Sequence, residues 1–519
     1  MSDYETVPAA GGTTVNLSLI SHTNVGKTTL ARTLLGRDIG EVRDEAHVTD
    51  ISTGYVLVQD GADTLMLWDT PGFGDTARLL SRLRMAGNPT GWFLSQVWDR
   101  FRERPLWSSQ QAVKNAREEA DVILYMVNAA EDPAAARYVQ LEMEVLGWIG
   151  KPVVLLLNQM GAPRADNARE IDLWRDAVGS ELVRAVLPLD AFARCWVQEG
   201  VLLETIAPLL PPAKAPAMAG LTARWHALNA ARFAKSMAVL GRFMAQATAD
   251  REPVDEPGWR DKLVQSLAGA RGGSGEVRRA MKALAGRLSD ETARSTEELI
   301  RLHALTGNAA RKVMDRVASD YAHAAPTPEG PAAALGGLVS GAVGGLAADL
   351  AAGGLTLGGG MIVGGILGAL GATGVAKGVN MARGEDNSTL GWSEEFTEQL
   401  AVSALLRYLA VAHFGRGRGD WSEGEHPPFW PEMVQREVAA HESELRALRR
   451  SASRGADTDS AAGFTAFLQA RAEALLARLY PAAAHLVRAA DAVSESERAL
   501  VEPAGEPHGE RDQRRHEDQ

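Results

Sequence analysis

Ser21-His22-Thr23-Asn24-Val25-Gly26-Lys27-Thr28 directly follows the strand-like run Val15 to Ile20 and opens the helix-like run Thr29 to Gly36. A strand, a tight loop and a helix N-terminus in that order aim backbone N–H groups and a positive dipole end at one point, which suits a nucleoside triphosphate. In such a loop Lys27 reaches the β- and γ-phosphates, the hydroxyl of Thr28 holds Mg²⁺, and the amides of Asn24 to Thr29 line the cradle. The pattern G-x-x-x-x-G-K-[ST] is imperfect here, because Ser21 stands at its first glycine. The loop alone therefore does not decide the fold, and the next hundred and thirty or so residues carry the rest of the weight.

After the loop and its helix come the β-rich runs Ile51 to Gln59 and Thr64 to Trp68, joined by Asp60-Gly61-Ala62-Asp63. A short Asp-Gly connection between such runs predicts a hairpin. A wholly parallel sheet would need a crossover helix at this place, so the spacing predicts a mixed sheet with one antiparallel pair. The second run ends in Asp69-Thr70-Pro71-Gly72. An acidic residue at a strand end can hold Mg²⁺ through water, and Gly72 can offer its N–H to a γ-phosphate.

Between the two motifs lies the polar segment Asp44 to Asp50. Thr49 is read as the threonine whose hydroxyl joins the Mg²⁺ shell and whose backbone senses the γ-phosphate, and Thr53 competes for that role. Two further apolar strands, Val122 to Val127 and Pro152 to Leu157, come next, and the second ends in Asn158-Gln159-Met160-Gly161. A guanine-reading Asn-Lys-x-Asp would stand there; only Asn158 is present, with Gly161 in place of the aspartate that pairs with the base.

These residues together resemble the Era/TrmE-like branch of the translation-factor-class GTPases. The resemblance rests on Asn24-Val25-Gly26-Lys27-Thr28-Thr29-Leu30, Thr49, Trp68-Asp69-Thr70-Pro71-Gly72-Phe73 and Asn158, within residues 14 to 210. It implies GTP and GDP as ligands, Mg²⁺ as cofactor, Lys27 and Thr49 as catalytic residues, and Thr28, Thr49 and Asp69 as metal-side residues. It also implies an apolar residue, here Phe73, in place of a catalytic glutamine, so that hydrolysis leans on backbone electrostatics and Mg²⁺. The whole layout is similar to an uncharacterised bacterial family in which such a domain precedes a C-terminal domain of unknown function. The runs Val186 to Trp196 and Arg407 to Gly415 contribute to that likeness.

The remainder sorts by composition. Residues 13 to 210 read as the α/β nucleotide domain, with a helical insert at 76 to 119 carrying Trp92, Phe93, Trp98, Phe101 and Trp107. Those aromatics pack a helix pair into the core or present a nucleotide-dependent face to a partner. Residues 215 to 330 show helical periodicity, 377 to 500 read as a helical C-terminal domain, and 505 to 519 as a charged, disordered tail. Between them, residues 331 to 376 hold Asp349 as their one charge and two glycine ladders, Gly337, Gly341, Gly345 and Gly360, Gly364, Gly368. Glycines at every fourth position lie on one helical face, where backbones approach closely. The expectation is a glycine-rich helical hairpin that enters a membrane or packs tightly inside a soluble body.

A 519-residue chain with 45% hydrophobic residues organises more than one core. The single cysteine, Cys195, excludes an intramolecular disulfide and a thiolate metal cluster, and fits a reducing compartment. The short acidic start, Met1 to Gly12, lacks the basic flank and apolar core of a secretory signal. The expected location is cytoplasmic, peripheral or integral at the cytoplasmic membrane. A net charge of −12 leaves no strong nucleic-acid signal, the basic run Arg407 to Arg418 aside. The expected partners are a guanine nucleotide and a membrane lipid or membrane protein. A Mg²⁺-dependent GTPase switch leads; a nucleotide-gated scaffold or a membrane-perturbing effector with little hydrolysis is the alternative that Phe73 and the incomplete Asn158 motif suggest.

Overall fold

The computed structural model describes residues 11–36, 52–85, 104–160, 167–189, 195–253, 275–305, 389–392, 394–414, 429–452 and 458–489. The expected switch residue Thr49, the aromatics Trp92, Phe93, Trp98 and Phe101, Gly161, the whole of 331 to 376 and the tail from 505 lie outside them.

Six strands form one sheet: β1 (Thr14–Ser21), β2 (Thr53–Asp60), β3 (Asp63–Asp69), β4 (Val122–Asn128), β5 (Val153–Asn158) and β6 (Val183–Pro188), in the order β2-β3-β1-β4-β5-β6. All neighbours are parallel except β2 with β3. The hairpin expected from Asp60-Gly61-Ala62-Asp63 forms: Asp60 pairs with Asp63, Gly61 takes φ +57°, and the register shifts between Val56 and Val58. Every residue of β5, Val-Val-Leu-Leu-Leu-Asn, is buried. A continuous apolar run is what a parallel strand covered on both faces requires. On the edge strand β2 most residues are half-buried or exposed.

Helices flank the sheet: α1 (Lys27–Leu35), α2 (Thr76–Met85), α3 (Arg104–Glu118), α4 (Arg137–Ile149), α5 (Asn167–Val178) and α6 (Trp196–Ile206). The start of α1 is set by Gly26 at φ +99°, and its end by Gly36 at φ +64°. Glycine adopts these left-handed angles without strain. Asp75 begins α2 by accepting the Arg78 N–H at 3.0 Å. In the insert, Trp107 on α3 is half-buried, while Leu106 and Val113 of the same helix join Leu79, Leu80 and Leu83 of α2 in one cluster.

Beyond residue 210 the chain is mainly helical: α7 (Ala215–Ala249), α8 (Gly275–Leu302), α9 (Glu394–Ala412), α10 (Trp430–Ala439), α11 (Glu442–Ala452), α12 (Thr458–Leu479) and α13 (Ala484–Ala489). A two-stranded antiparallel ribbon departs from the all-helical expectation, β7 (Arg251–Pro253) with β8 (Thr389–Gly391). Asp250 closes α7 in an extended conformation, and the three residues after it find their partner far along the chain.

Arg407 also departs from the sequence reading. It is not part of a basic surface: its side chain is 0% exposed, donates to Ser295 Oγ at 2.8 Å and Thr296 Oγ1 at 3.0 Å, and lies 4.3 Å over the Phe243 ring. The hydroxyls of α8 meet its Nη1 and the Phe243 ring meets its flat face, which together hold the guanidinium inside the helical body.

One apolar cluster runs without a break from Val15, Leu17 and Leu67 of the sheet, through Trp196 and Leu203 of α6, to Met218 and Leu221 of α7 and on to Phe464 and Leu475 of α12. Lys214, just before α7, pins the junction by donating to Thr14 O at 2.7 Å and to both oxygens of Asp121, at 2.6 and 2.8 Å.

A close helix approach occurs at Gly241 of α7, where an added Cβ would stand 2.1 Å from Thr465 Oγ1 and 2.7 Å from the Thr465 backbone N. Gly241→Ala should lower stability by about 1–3 kcal/mol through overpacking, although alanine alone favours a helix. Thermal unfolding followed by circular dichroism checks this; a raised midpoint would mean that α7 and α12 are not in contact there.

Candidate functional site

The ends of β1 and β3 set the geometry. Their parallel pairing runs from Thr14 with Thr64 to Leu19 with Asp69 and resumes at the bridge of His22 with Phe73. Phe73 N–H donates to Ser21 O at 2.9 Å, and Thr23 N–H donates to Phe73 O at 3.2 Å. Thr70 Oγ1 donates to Leu19 O at 2.6 Å, which closes the same junction from below. The two motifs, some forty positions apart in sequence, are thereby stitched edge to edge.

Within this frame Asn24 takes φ +65° and Gly26 φ +99°. The two left-handed residues turn the chain so that α1 opens on Lys27, and its first free N–H groups face the loop. Thr28 Oγ1 donates to Asp69 Oδ2 at 2.7 Å. Lys27 Nζ donates to Ser21 Oγ at 3.1 Å, and Ser21 Oγ donates to His22 O at 2.6 Å. Ser21 thus replaces the first glycine of the pattern without disturbing the loop, since its side chain turns inward as a partner for the lysine. Gly72 sits so close that a Cβ there would lie 3.0 Å from Lys27 Nζ and 3.0 Å from Thr23 Cα. A side chain at 72 would have to push the lysine tip or the loop backbone aside by a few tenths of an ångström.

The charges are buried. Desolvation pushes the Lys27 ammonium below its usual range, opposed by the Asp69 and Glu142 carboxylates. Desolvation also pushes the Asp69 carboxyl up, opposed by the Thr28 hydroxyl and by Lys27 and Arg32. Asp69 Oδ1 is buried and accepts no hydrogen bond among the described residues. Two hard oxygens side by side, one a carboxylate with an unused buried lone pair, fit an octahedral Mg²⁺ that keeps several waters.

Asn158, at the end of β5, is fully buried, and its Nδ2 donates to Val25 O at 2.8 Å. That contact ties the last motif to the loop. Gln159 follows at φ +59° and turns the chain off the strand. Thr53, the alternative to Thr49, opens β2 opposite Asp69 in the hairpin register. The structure therefore gathers Asn24 to Thr29, Asp69, Gly72 and Asn158 around one loop.

Glu142 and His22 were not legible as site residues. Glu142 of α4 is fully buried, and its Oε1 meets His22 Nδ1 at 2.7 Å. The available signal was its position: Val139, Glu142, Met143 and Leu146 share the buried face of α4, so the glutamate stands where an apolar residue is expected.

Comparison with known proteins places these features. The family model described as "50S ribosome-binding GTPase" matches residues 16–159. GTPase Era of Staphylococcus epidermidis is 27% identical over 150 residues, 29% of this chain and 41% of that protein. The chain thus spans less than half the length of that curated relative. Two solved structures of Era, one of a point variant of the Aquifex aeolicus protein bound to GDP.AlF4- and one in complex with MgGDPNP and nucleotides 1506-1542 of 16S ribosomal RNA, each match at 18% identity. Each covers 57% of this chain and 100% of its own, with a TM-score of 0.29.

The second of these corrects the expectation that no strong nucleic-acid signal exists, because a matched protein is there bound to ribosomal RNA. The physical reason is that net charge sums over the whole molecule, whereas phosphate contact depends on local surface. The model described as "Domain of unknown function (DUF3482)" matches residues 175–470 and begins inside α5, before the last strand of the sheet. With more than half of its length in that match, the chain belongs to the DUF3482 family, in which it joins this C-terminal region to an Era-like P-loop GTPase domain.

Proposed function

We propose that the protein is a Mg²⁺-dependent GTPase switch whose helical C-terminal part responds to the nucleotide. The observation that carries this reading is the meeting of Lys27, Thr28 and Asp69 at one helix N-terminus, with Gly72 wedged against Lys27 Nζ. The amides of Asn24 to Thr29 would cradle the phosphates. Lys27 would exchange Ser21 Oγ for the β/γ-phosphate oxygens, Thr28 and Asp69 would hold Mg²⁺ with Thr49 as a further ligand, and Gly72 would offer its N–H to the γ-phosphate. Bound Mg²⁺ supplies charge neutralisation at the transferring phosphoryl group.

Phe73 is fully buried with both main-chain groups bonded to the loop, so its side chain does not orient water. Hydrolysis on this reading rests on the preorganised donors of the loop and on Thr49. Asn158 is the residue proposed to meet the base, and the Era relative favours guanine.

Lys27→Ala should reduce phosphate release from GTP to background, by about a thousandfold or more for a lost charged contact in the transition state. GTP should bind more tightly than ATP in the wild type. Equal release by wild type and variant removes the enzyme reading, and tighter ATP binding removes the guanine assignment. Asp69→Asn should raise the Mg²⁺ concentration needed for half-maximal nucleotide binding by roughly tenfold, since one anionic ligand is lost. Titration with a fluorescent nucleotide measures this, and an unchanged Mg²⁺ requirement would exclude Asp69 from the metal site.

Docking at the cytoplasmic membrane rests on the two glycine ladders of residues 331 to 376. Among the described residues, no helix is long and apolar enough to cross a membrane. Deleting 331 to 376 should move the protein from the membrane fraction to the supernatant; identical fractionation of both forms would contradict membrane docking.

A further inference from the structure

Glu142 belongs to none of the nucleotide motifs, yet three donors from three elements converge on it. Tyr125 OH of β4 donates to Oε2 at 2.5 Å; His22 Nδ1 at 2.7 Å and Thr76 Oγ1 at 3.1 Å share Oε1. His22 is the second residue of the phosphate loop, and Thr76 opens α2 behind Gly72 and Phe73. The His22 ring is itself fixed, 4.5 Å from the Tyr138 ring of the same α4. One oxygen therefore touches the segments on both sides of the phosphate site.

A buried carboxylate is costly unless its lone pairs are used. Burial pushes the Glu142 carboxyl up from its ordinary range, opposed by His22, Tyr125 and Thr76. A leucine or methionine at 142 would continue the apolar face of Val139, Met143 and Leu146 and carry no such cost. That replacement would leave the buried Tyr125 and Thr76 hydroxyls without this acceptor, so the carboxylate and its donors form one polar network whose members depend on each other. What the glutamate adds is a side-chain link from His22 to Thr76, on the far side of the main-chain contacts of Ser21 and Thr23 with Phe73 and of the Thr28–Asp69 hydrogen bond.

We propose that Glu142 is a positioning residue for nucleotide turnover, whose Oε1 latches His22 of the phosphate loop to Thr76 of α2 and so sets where Gly72 stands relative to the γ-phosphate. The latch does not touch the nucleotide. It rests on the triphosphate site proposed above, and it acts on the state that contains a γ-phosphate more than on the diphosphate state.

The test uses the full chain with Thr76→Val, Glu142→Gln and the double variant. Affinity for GDP, affinity for a non-hydrolysable GTP analogue and single-turnover phosphate release are measured for each. The expected result is GDP affinity within about twofold of wild type, turnover lowered by about tenfold in each single variant, and no further loss in the double variant, because both remove the same contact. Turnover at the wild-type level in Thr76→Val overturns the proposal. So does a double variant whose losses multiply, or a fall in GDP affinity and thermal midpoint that accounts for the whole loss. Should Glu142→Gln fail to fold, Thr76→Val, which keeps the carboxylate, decides the matter alone. Should the wild type release no phosphate, the hydrolysis reading fails by itself; the latch is then judged by the ratio of analogue to GDP affinity, and an unchanged ratio in Thr76→Val overturns it.

Discussion

The parallel pairing of β1 with β3 is the constraint on which the geometry of the site depends. It continues past the regular strands into the His22 and Phe73 bridge, so Asp69 arrives beside Thr28 and Gly72 beside Lys27. The Thr70 hydroxyl on Leu19 O adds a side-chain bond at that junction; the rest of the arrival is main-chain pairing. Backbone hydrogen bonds fix it to within the reach of one hydroxyl, and among the described residues the buried Asp69 Oδ1 accepts no hydrogen bond. The sheet is a rigid support for such a constellation, because β1 and β3, which carry it, are each held by neighbours on both sides.

The nucleotide domain was legible because its signals are local and redundant. Gly26, Lys27 and Thr28 sit at a strand-to-helix junction, Asp60-Gly61 marks a hairpin, and the run Val153 to Leu157 is apolar throughout. Each of these is decided by residues within one turn or one strand. Ser21 was legible only as a defect of the motif, since its service to Lys27 depends on a rotamer that no spacing encodes.

Glu142 and Arg407 were illegible for a related reason. A single charge in an amphipathic helix reads as a solvated residue unless its position on the apolar face is weighed against its neighbours. Arg407 sits among Ala404, Leu405, Tyr408 and Leu409, all buried, and its acceptors come from α8, more than a hundred positions earlier. The β7–β8 ribbon was hidden in the same way: each strand is only three residues long, and neither shows an alternation of its own. Contacts of long sequence separation leave their mark on the partner, and the partner's identity is not written locally.

The junction between sheet and helical body has a thermodynamic consequence. α7 lies against β2 and β3, with Gly220 so close to the hairpin turn that a Cβ there would stand 3.2 Å from Asp60 Oδ2. In sequence the hairpin lies between the Gly26–Lys27 loop and the Asp69–Gly72 segment, so the helical body is in effect a ligand that the chain already holds against it. Reciprocity then applies: any free energy by which an occupant of the loop favours one arrangement of the hairpin against α7 is matched by an equal change in that occupant's own affinity when the helical body is attached. For such coupling no messenger segment is needed, only a difference in how well α7 fits the hairpin when the loop is filled and when it is empty.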